Sequence, residues 1–285
     1  MMDAAIVVGV DGSPTAWSAL TWAAEDAERR GLPLRIVHVR EPWLAEHPLG
    51  ASGERETLTQ RCDRLLAGSA ARARECAPGS RISTAIVTGA VIERLKTESE
   101  TADTVVVGSR GFGGFAGLVL GSVGLGLAGY AQSPVVVVRR LPSDGAGEIV
   151  VGYDGSPCAD MALEYALAQA AARRSRLRVL HGQRYPVVSP HPVGYGPLPI
   201  DEVPDIGQRL IAWREKYPDI ELIASMIRDH PVPALAAASR DADLVVVGAR
   251  GLGGFTSAML GSVSHGILHR SHCPVAVVGA LRRRS

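Results

Sequence analysis

Short uninterrupted apolar runs alternate with longer segments of helical periodicity along the whole chain. The apolar, β-rich runs fall at residues 4–10, 34–40, 82–87, 104–109 and 135–139, and again at 148–153, 176–181, 221–227, 244–249 and 275–279. Runs such as Val105-Val106-Val107 show no polar alternation, which suits strands buried on both faces of a parallel sheet. Helical patterns lie between them, near residues 15–30, 55–76, 91–100 and 123–131, with counterparts in the second half. Ser13-Pro14 and Ser156-Pro157 read as an N-cap followed by proline at the first helical position. Strands alternating with helices predict a doubly wound α/β fold.

The pattern is written twice. Val8-Gly9-Val10-Asp11-Gly12-Ser13-Pro14 recurs as Val151-Gly152-Tyr153-Asp154-Gly155-Ser156-Pro157, an offset of 143. Val105 to Gly111 recurs as Val245 to Gly251, and Leu120-Gly121-Ser122-Val123 as Leu260-Gly261-Ser262-Val263, both at an offset of 140. A period this long fits one complete domain per copy rather than a solenoid. The expected architecture is α/β: two tandem doubly wound domains, residues 1–140 and 147–285, each a five-stranded parallel sheet flanked by helices. The polar, turn-rich stretch Leu141-Pro142-Ser143-Asp144-Gly145-Ala146 links them.

Composition narrows the partners. Basic and acidic residues number 30 and 29, so nothing favours a nucleic-acid backbone or an anionic membrane. The closing Arg282-Arg283-Arg284 reads as a solvated tail. Residues 111–138 carry no charge and are long enough to span a bilayer. They are studded with glycine, however, and the matching segment carries His265, His269, Arg270 and His272. Two copies of one element share an environment, so a membrane span is not expected. The four cysteines, Cys62, Cys76, Cys158 and Cys273, form no C-x-x-C pair, and no charged-then-apolar leader opens the sequence. A reducing cytoplasm is the expected compartment.

Ligands of open parallel sheets bind at the carboxyl ends of the strands. Two features fall there in each copy. One is the acidic turn after the first strand, Asp11-Gly12-Ser13 and Asp154-Gly155-Ser156. The other is a glycine-rich loop after the fourth: Gly108-x-x-Gly111, nine residues, Gly121-Ser122, repeated as Gly248-x-x-Gly251, nine residues, Gly261-Ser262. Glycines let backbone N–H groups approach an anion, and the helix that follows adds unsatisfied donors and a favourable dipole. Ser122 and Ser262 are expected to cap those helices with hydroxyls that also reach a phosphate.

The loop spacing, paired with the early V-D-G-S turn, resembles the universal stress protein family, here over nearly the whole chain as in tandem-domain members. That resemblance implies an adenine nucleotide alpha hydrolase-like fold and ATP, with Mg²⁺, as ligand. It implies phosphate contacts at Gly108, Gly111, Gly121 and Ser122, and at Gly248, Gly251, Gly261 and Ser262. It places Asp11 and Asp154 near the ribose and the adenine against backbone at Val39, where the second copy has Gly182. Gly12, Gly155, Val123 and Val263 complete the candidate contact set. It also implies pairing of the two domains through their last strands, and a further homodimer.

Several residues keep two readings. Asp11 and Asp154 either touch nucleotide or bond only their own turns. Arg110 and Arg250 either neutralise phosphate or face solvent. His265 and His269 have a metal-chelating spacing, but the first copy has Leu125 and Gly129 there, so a polar helix face is expected. Cys273 is expected to be a buried, inert thiol. The proline-rich stretch 183–204 is either a lid or a partner site. Three functions follow: a regulatory ATP-binding protein, a slow ATPase or phosphotransferase, or an interaction module with empty sites. The enzyme reading lacks a G-x-x-x-x-G-K-[ST] motif, and the chain's two lysines, Lys96 and Lys216, lie near neither loop. No catalytic residue and no protein-bound metal are assigned.

Overall fold

The computed structural model describes residues 4–41, 57–111, 120–141, 147–182, 206–227, 230–251 and 260–279. In the first copy the strands are β1 (Ile6–Gly9), β2 (Leu34–Arg40), β3 (Ile82–Thr88), β4 (Thr104–Gly108) and β5 (Val135–Val138). The helices are α1 (Pro14–Arg30), α2 (Leu58–Cys76), α3 (Val91–Ser99) and α4 (Ser122–Tyr130). The second copy repeats them as β6 (Glu148–Gly152), α5 (Pro157–Arg173), β7 (Arg176–Gly182), α6 (Ile206–Lys216), β8 (Leu222–Ile227), α7 (Pro231–Ala238), β9 (Leu244–Gly248), α8 (Ser262–Arg270) and β10 (Val275–Val278).

Both copies belong to one ten-stranded sheet of order β3-β2-β1-β4-β5-β10-β9-β6-β7-β8. Every pairing within a copy is parallel. The seam is antiparallel, with Ala276 opposite Val136 at its centre. The expected last-strand pairing is therefore made within this chain. β4, β5, β9 and β10 are buried valine-rich runs, because helices cover both faces here. Ile6, Val8, Val136 and Ala276 pack on the side of α1 and α5, and Val7, Val105, Val137 and Val275 on the side of α4 and α8. Both cores run unbroken across the seam. The outermost strands β3 and β8 are only partly covered.

Local chemistry sets the helix ends. Ser13 and Ser156 cap α1 and α5 with proline following, as expected. Gly31 ends α1 with φ +65°, where a side chain would strain the backbone. Thr57 and Gln60 form a reciprocal capping box that starts α2 three residues later than the sequence pattern suggests. In each copy the strand order reverses between β1 and β4, or β6 and β9. This is the crevice where ligands of such sheets bind.

Candidate functional site

The site starts from the acidic turns. β1 ends at Gly9, and Asp11 Oδ1 accepts the Ser13 N–H at 2.9 Å; Asp154 Oδ1 accepts the Ser156 N–H at 3.0 Å. Gly12 and Gly155 take φ +88° and +81°, so glycine is required there. The turn-bonding reading of both aspartates is thus realised, but each uses one carboxylate oxygen for it. The other oxygen points at the glycine loop. A Cβ on Gly111 would stand 2.5 Å from Asp11 Oδ2, and one on Gly251 would overlap Asp154 Oδ2.

The loop itself is closed at its base. The Ser109 N–H donates to Val138 O at 2.8 Å, and the returning Gly121 N–H donates to Ser109 O at 2.7 Å. The second copy repeats this through Ala249, Val278 and Gly261. Thr15 and Ser13 hydroxyls donate to Arg110 O, and the Ser156 hydroxyl donates to Arg250 O at 3.5 Å. The acidic turn, the helix start and the loop base are therefore one hydrogen-bonded unit. The Arg110 and Arg250 side chains are exposed beside it. The loop interiors, residues 112–119 and 252–259, lie outside the described residues, as does the proline-rich stretch 183–204.

Two expectations change. Ser122 and Ser262 are not caps: Gly121 and Gly261 hold the extended cap geometry, and neither helix start has a side-chain cap bond. Glycine also serves well as an N-cap, and it gives the backbone N–H groups of the first turn no side-chain acceptor. Each serine is the first helical residue, with its side chain exposed. Val123 and Val263 follow, half-buried against the core. Gly108 and Gly248 have a packing reason for lacking a side chain. A Cβ at Gly108 would be 2.8 Å from the Thr15 carbonyl carbon, and one at Gly248 2.9 Å from that of Cys158. The first turns of α1 and α5 press on these glycines.

Val39 lies two residues beyond Val37, whose carbonyl accepts the Val10 N–H at 2.9 Å. Backbone groups of a strand alternate sides, so those of Val39 also face the β1 side, past the end of β1. Gly182 stands in the same relation to Leu180, whose carbonyl accepts from Tyr153 N at 3.0 Å. In both copies the strand end, paired on its far side with β3 or β8, thus runs past its last register pair with β1 or β6 toward the crevice.

Sequence reasoning missed two histidines. His38 Nδ1 lies 2.8 Å from Val10 O and His181 Nδ1 2.7 Å from Tyr153 O. A carbonyl only accepts, so each ring donates from Nδ1. Each thereby pins the carbonyl just before the acidic residue. The signal was available: the two histidines are related by the offset of 143 that relates Asp11 to Asp154.

Other candidates fall away from the site. The His265 and His269 rings are 4.8 Å apart, and among the described residues no group of three or more possible metal ligands gathers. Cys273 is buried, which pushes its thiol up to about 12. Among the described residues no helix is long and apolar enough to cross a membrane.

The universal stress protein family is matched twice, at residues 4–139 and 146–279. A universal stress protein of Mycobacterium tuberculosis is 32% identical over 298 residues, covering 95% of this chain and 94% of its own. Another from that organism is 34% identical over 285 residues, covering 95% of each. The crystal structure of a universal stress protein from Archaeoglobus fulgidus shares the fold with TM-score 0.72 at 21% identity, covering 96% of both chains.

Proposed function

The chain belongs to the universal stress protein family, and on that premise we propose that it is a regulatory ATP-binding protein. Each copy takes up to one nucleotide, Mg²⁺ bridges the phosphates, and the output is a change of shape or partner rather than fast chemistry. The observation that carries this reading is the convergence, in both copies, of an acidic turn on a glycine loop at the switch point of the sheet. N–H groups at the start of α4 and α8, which have no side-chain cap, suit phosphate. The carboxylates of Asp11 and Asp154 suit ribose hydroxyls, and the backbone at Val39 and Gly182 suits an adenine edge.

The lysines support binding over phosphoryl transfer. Lys96 Nζ sits 5.5 Å from the Tyr130 ring centre, at the far end of α4 from the loop, and Lys216 pairs with Glu164 at 3.0 Å. Neither offers charge to a transferred phosphoryl group. The four cysteines are free thiols, which supports a reducing compartment such as the cytoplasm. Because β5 and β10 pair with each other, a homodimer of this chain would meet through another surface.

Calorimetric titration of the nucleotide-free protein with Mg-ATP tests the reading. We expect saturable binding with up to two sites per chain, weakened when Mg²⁺ is chelated. No heat of binding, together with no adenine nucleotide released on denaturing the purified protein, would leave only the empty-site interaction module.

A further inference from the structure

The seam between the copies buries one polar cluster that the site does not use. α1 and α5 meet there. The Asp26 carboxylate is fully buried, and Arg173, with 7% of its side chain exposed, donates to Asp26 Oδ1 at 2.7 Å. Gln169 Nε2 donates to Asp26 Oδ2 at 3.1 Å and to the Tyr165 hydroxyl at 3.0 Å, using both amide hydrogens. Gln169 Oε1 accepts from Arg173 in turn. The Arg173 guanidinium lies 5.2 Å from the Trp22 ring centre. Arg30 stands 3.5 Å from Asp26 Oδ2 and is otherwise held by Asp103 at 2.7 and 3.0 Å.

These residues are counterparts. The offset of 143 relates Trp22 to Tyr165, Asp26 to Gln169 and Arg30 to Arg173. The antiparallel seam therefore sets Asp26 against its own equivalent, Gln169, and Trp22 against Arg173, the equivalent of Arg30; of these three pairs of equivalents only Asp26 and Gln169 differ in charge. Pairing the first copy with another first copy would put a second Asp26 where Gln169 now donates. Two carboxylates would then stand about 3 Å apart without water, and the two Arg30 side chains beside them are each already held by Asp103, which favours proton uptake by one carboxylate. Pairing the second copy with another second copy would leave Arg173 without Asp26. Among the described residues that is its sole hydrogen-bonded carboxylate, and losing it is destabilising although the charge of Asp243 still acts on the guanidinium. Of the three pairings only the unlike one gives Asp26 its donors and Arg173 a hydrogen-bonded carboxylate, even though Arg173 Nη2 has no hydrogen-bond partner among the described residues.

We propose that Asp26 and Gln169, read through Arg173, are a pairing code on this surface. The first copy accepts a second copy as its partner and rejects its own kind, whether the partner lies in the same chain or in another. The short linker raises the effective concentration of the correct partner, so the sheet closes within one chain. Two copies that pair through their last strands would otherwise have three ways to combine, and a chain with two open strands could grow into open-ended assemblies.

The test uses the full chain and reads amide exchange in β5 and β10 against β2 and β7, which report folding within each copy. Q169D recreates the like-with-like contact. It is expected to speed exchange in β5 and β10 about tenfold or more while β2 and β7 stay protected. The exchanged double variant D26Q/Q169D is expected to recover most of that loss, because Arg30 is to position 169 what Arg173 is to position 26. D26N changes charge with little change of shape, and it serves where Q169D fails to fold. It too is expected to loosen β5 and β10 selectively. Wild-type protection of the seam in D26N, or a double variant no better protected than Q169D, would overturn the proposal.

Discussion

The Asp11 carboxylate lies against the bare α-carbon of Gly111, so close that a methyl group there would stand 2.5 Å from Asp11 Oδ2. Asp154 and Gly251 repeat the contact. Two motifs nearly a hundred residues apart thus share one wall of the crevice. Gly111→Asp is expected to abolish nucleotide binding in the first copy and Gly251→Asp in the second, since each sets a carboxylate beside another where the proposed site takes phosphate. Gly111→Ala should weaken binding by displacing Asp11 while leaving the fold intact. Unchanged calorimetric ATP affinity in the double aspartate variant would show that the site lies elsewhere.

A separate expectation concerns rate. Without a lysine at either loop, phosphate release should fall far below the usual median turnover of about 10 s⁻¹. Fast release that Asp11→Asn eliminates would favour the ATPase reading over the regulatory one.

His38 should matter indirectly. Its bond to Val10 O fixes the backbone entering the acidic turn, and His181 does the same at Tyr153. Losing one such bond costs about 1 kcal/mol. His38→Phe should therefore weaken ATP binding in the first copy about fivefold, with the second copy unaffected. Equal affinity in variant and wild type, measured with the second site blocked by Gly251→Asp, would confine His38 to a structural role.

The legible parts of the site were those written as local motifs with an offset. That Asp11, Gly111 and Gly121 would come together at one end of the sheet could be read because turn and loop chemistry restrict residue type at each position. Ser122 was misread because serine and glycine both favour the cap position, and only backbone geometry tells them apart. The packing role of Gly108 needed the approach of α1, a contact across the fold. The Asp26–Gln169 pair was hidden for a similar reason. Each residue alone reads as an ordinary helix position, and their meeting depends on the antiparallel seam.

Thiol chemistry gives a simple check. Burial pushes the Cys273 thiol up to about 12 and also raises that of Cys62. At pH 8 Cys273 is therefore held as the neutral thiol, and the thiolate is the reactive form. A disulfide reagent should modify the partly exposed Cys76 and Cys158 first, and Cys273 only after unfolding. Rapid native-state labelling of Cys273, mapped by peptide mass spectrometry, would contradict the packing around it.

The two helices that follow the glycine loops should differ in stability, with α4 depending more on ligand than α8. Gly126 and Gly266 do not contribute to the difference. A Cβ on either would come within 2.8 Å of Ile92 or Val232, so both copies use glycine to let a neighbouring helix pack closely. The difference lies at Gly124 and Gly129, where α8 has Ser264 and His269. Glycine in a helix interior costs roughly 1 kcal/mol relative to alanine and somewhat less relative to these residues. The Ser264 hydroxyl also donates to Gly248 O at 2.5 Å, a bond Gly124 cannot make to Gly108. Phosphate at the start of α4 would offset part of the deficit through the helix dipole. In the nucleotide-free protein, amides of residues 123–131 should exchange about fivefold or more faster than those of 263–271, and ATP should narrow the gap. Gly124→Ser should slow exchange without ATP, because its Cβ would meet Val137 at an ordinary 3.4 Å and its hydroxyl could reach the Gly108 carbonyl. Equal protection of the two helices without nucleotide would mean that packing alone holds α4.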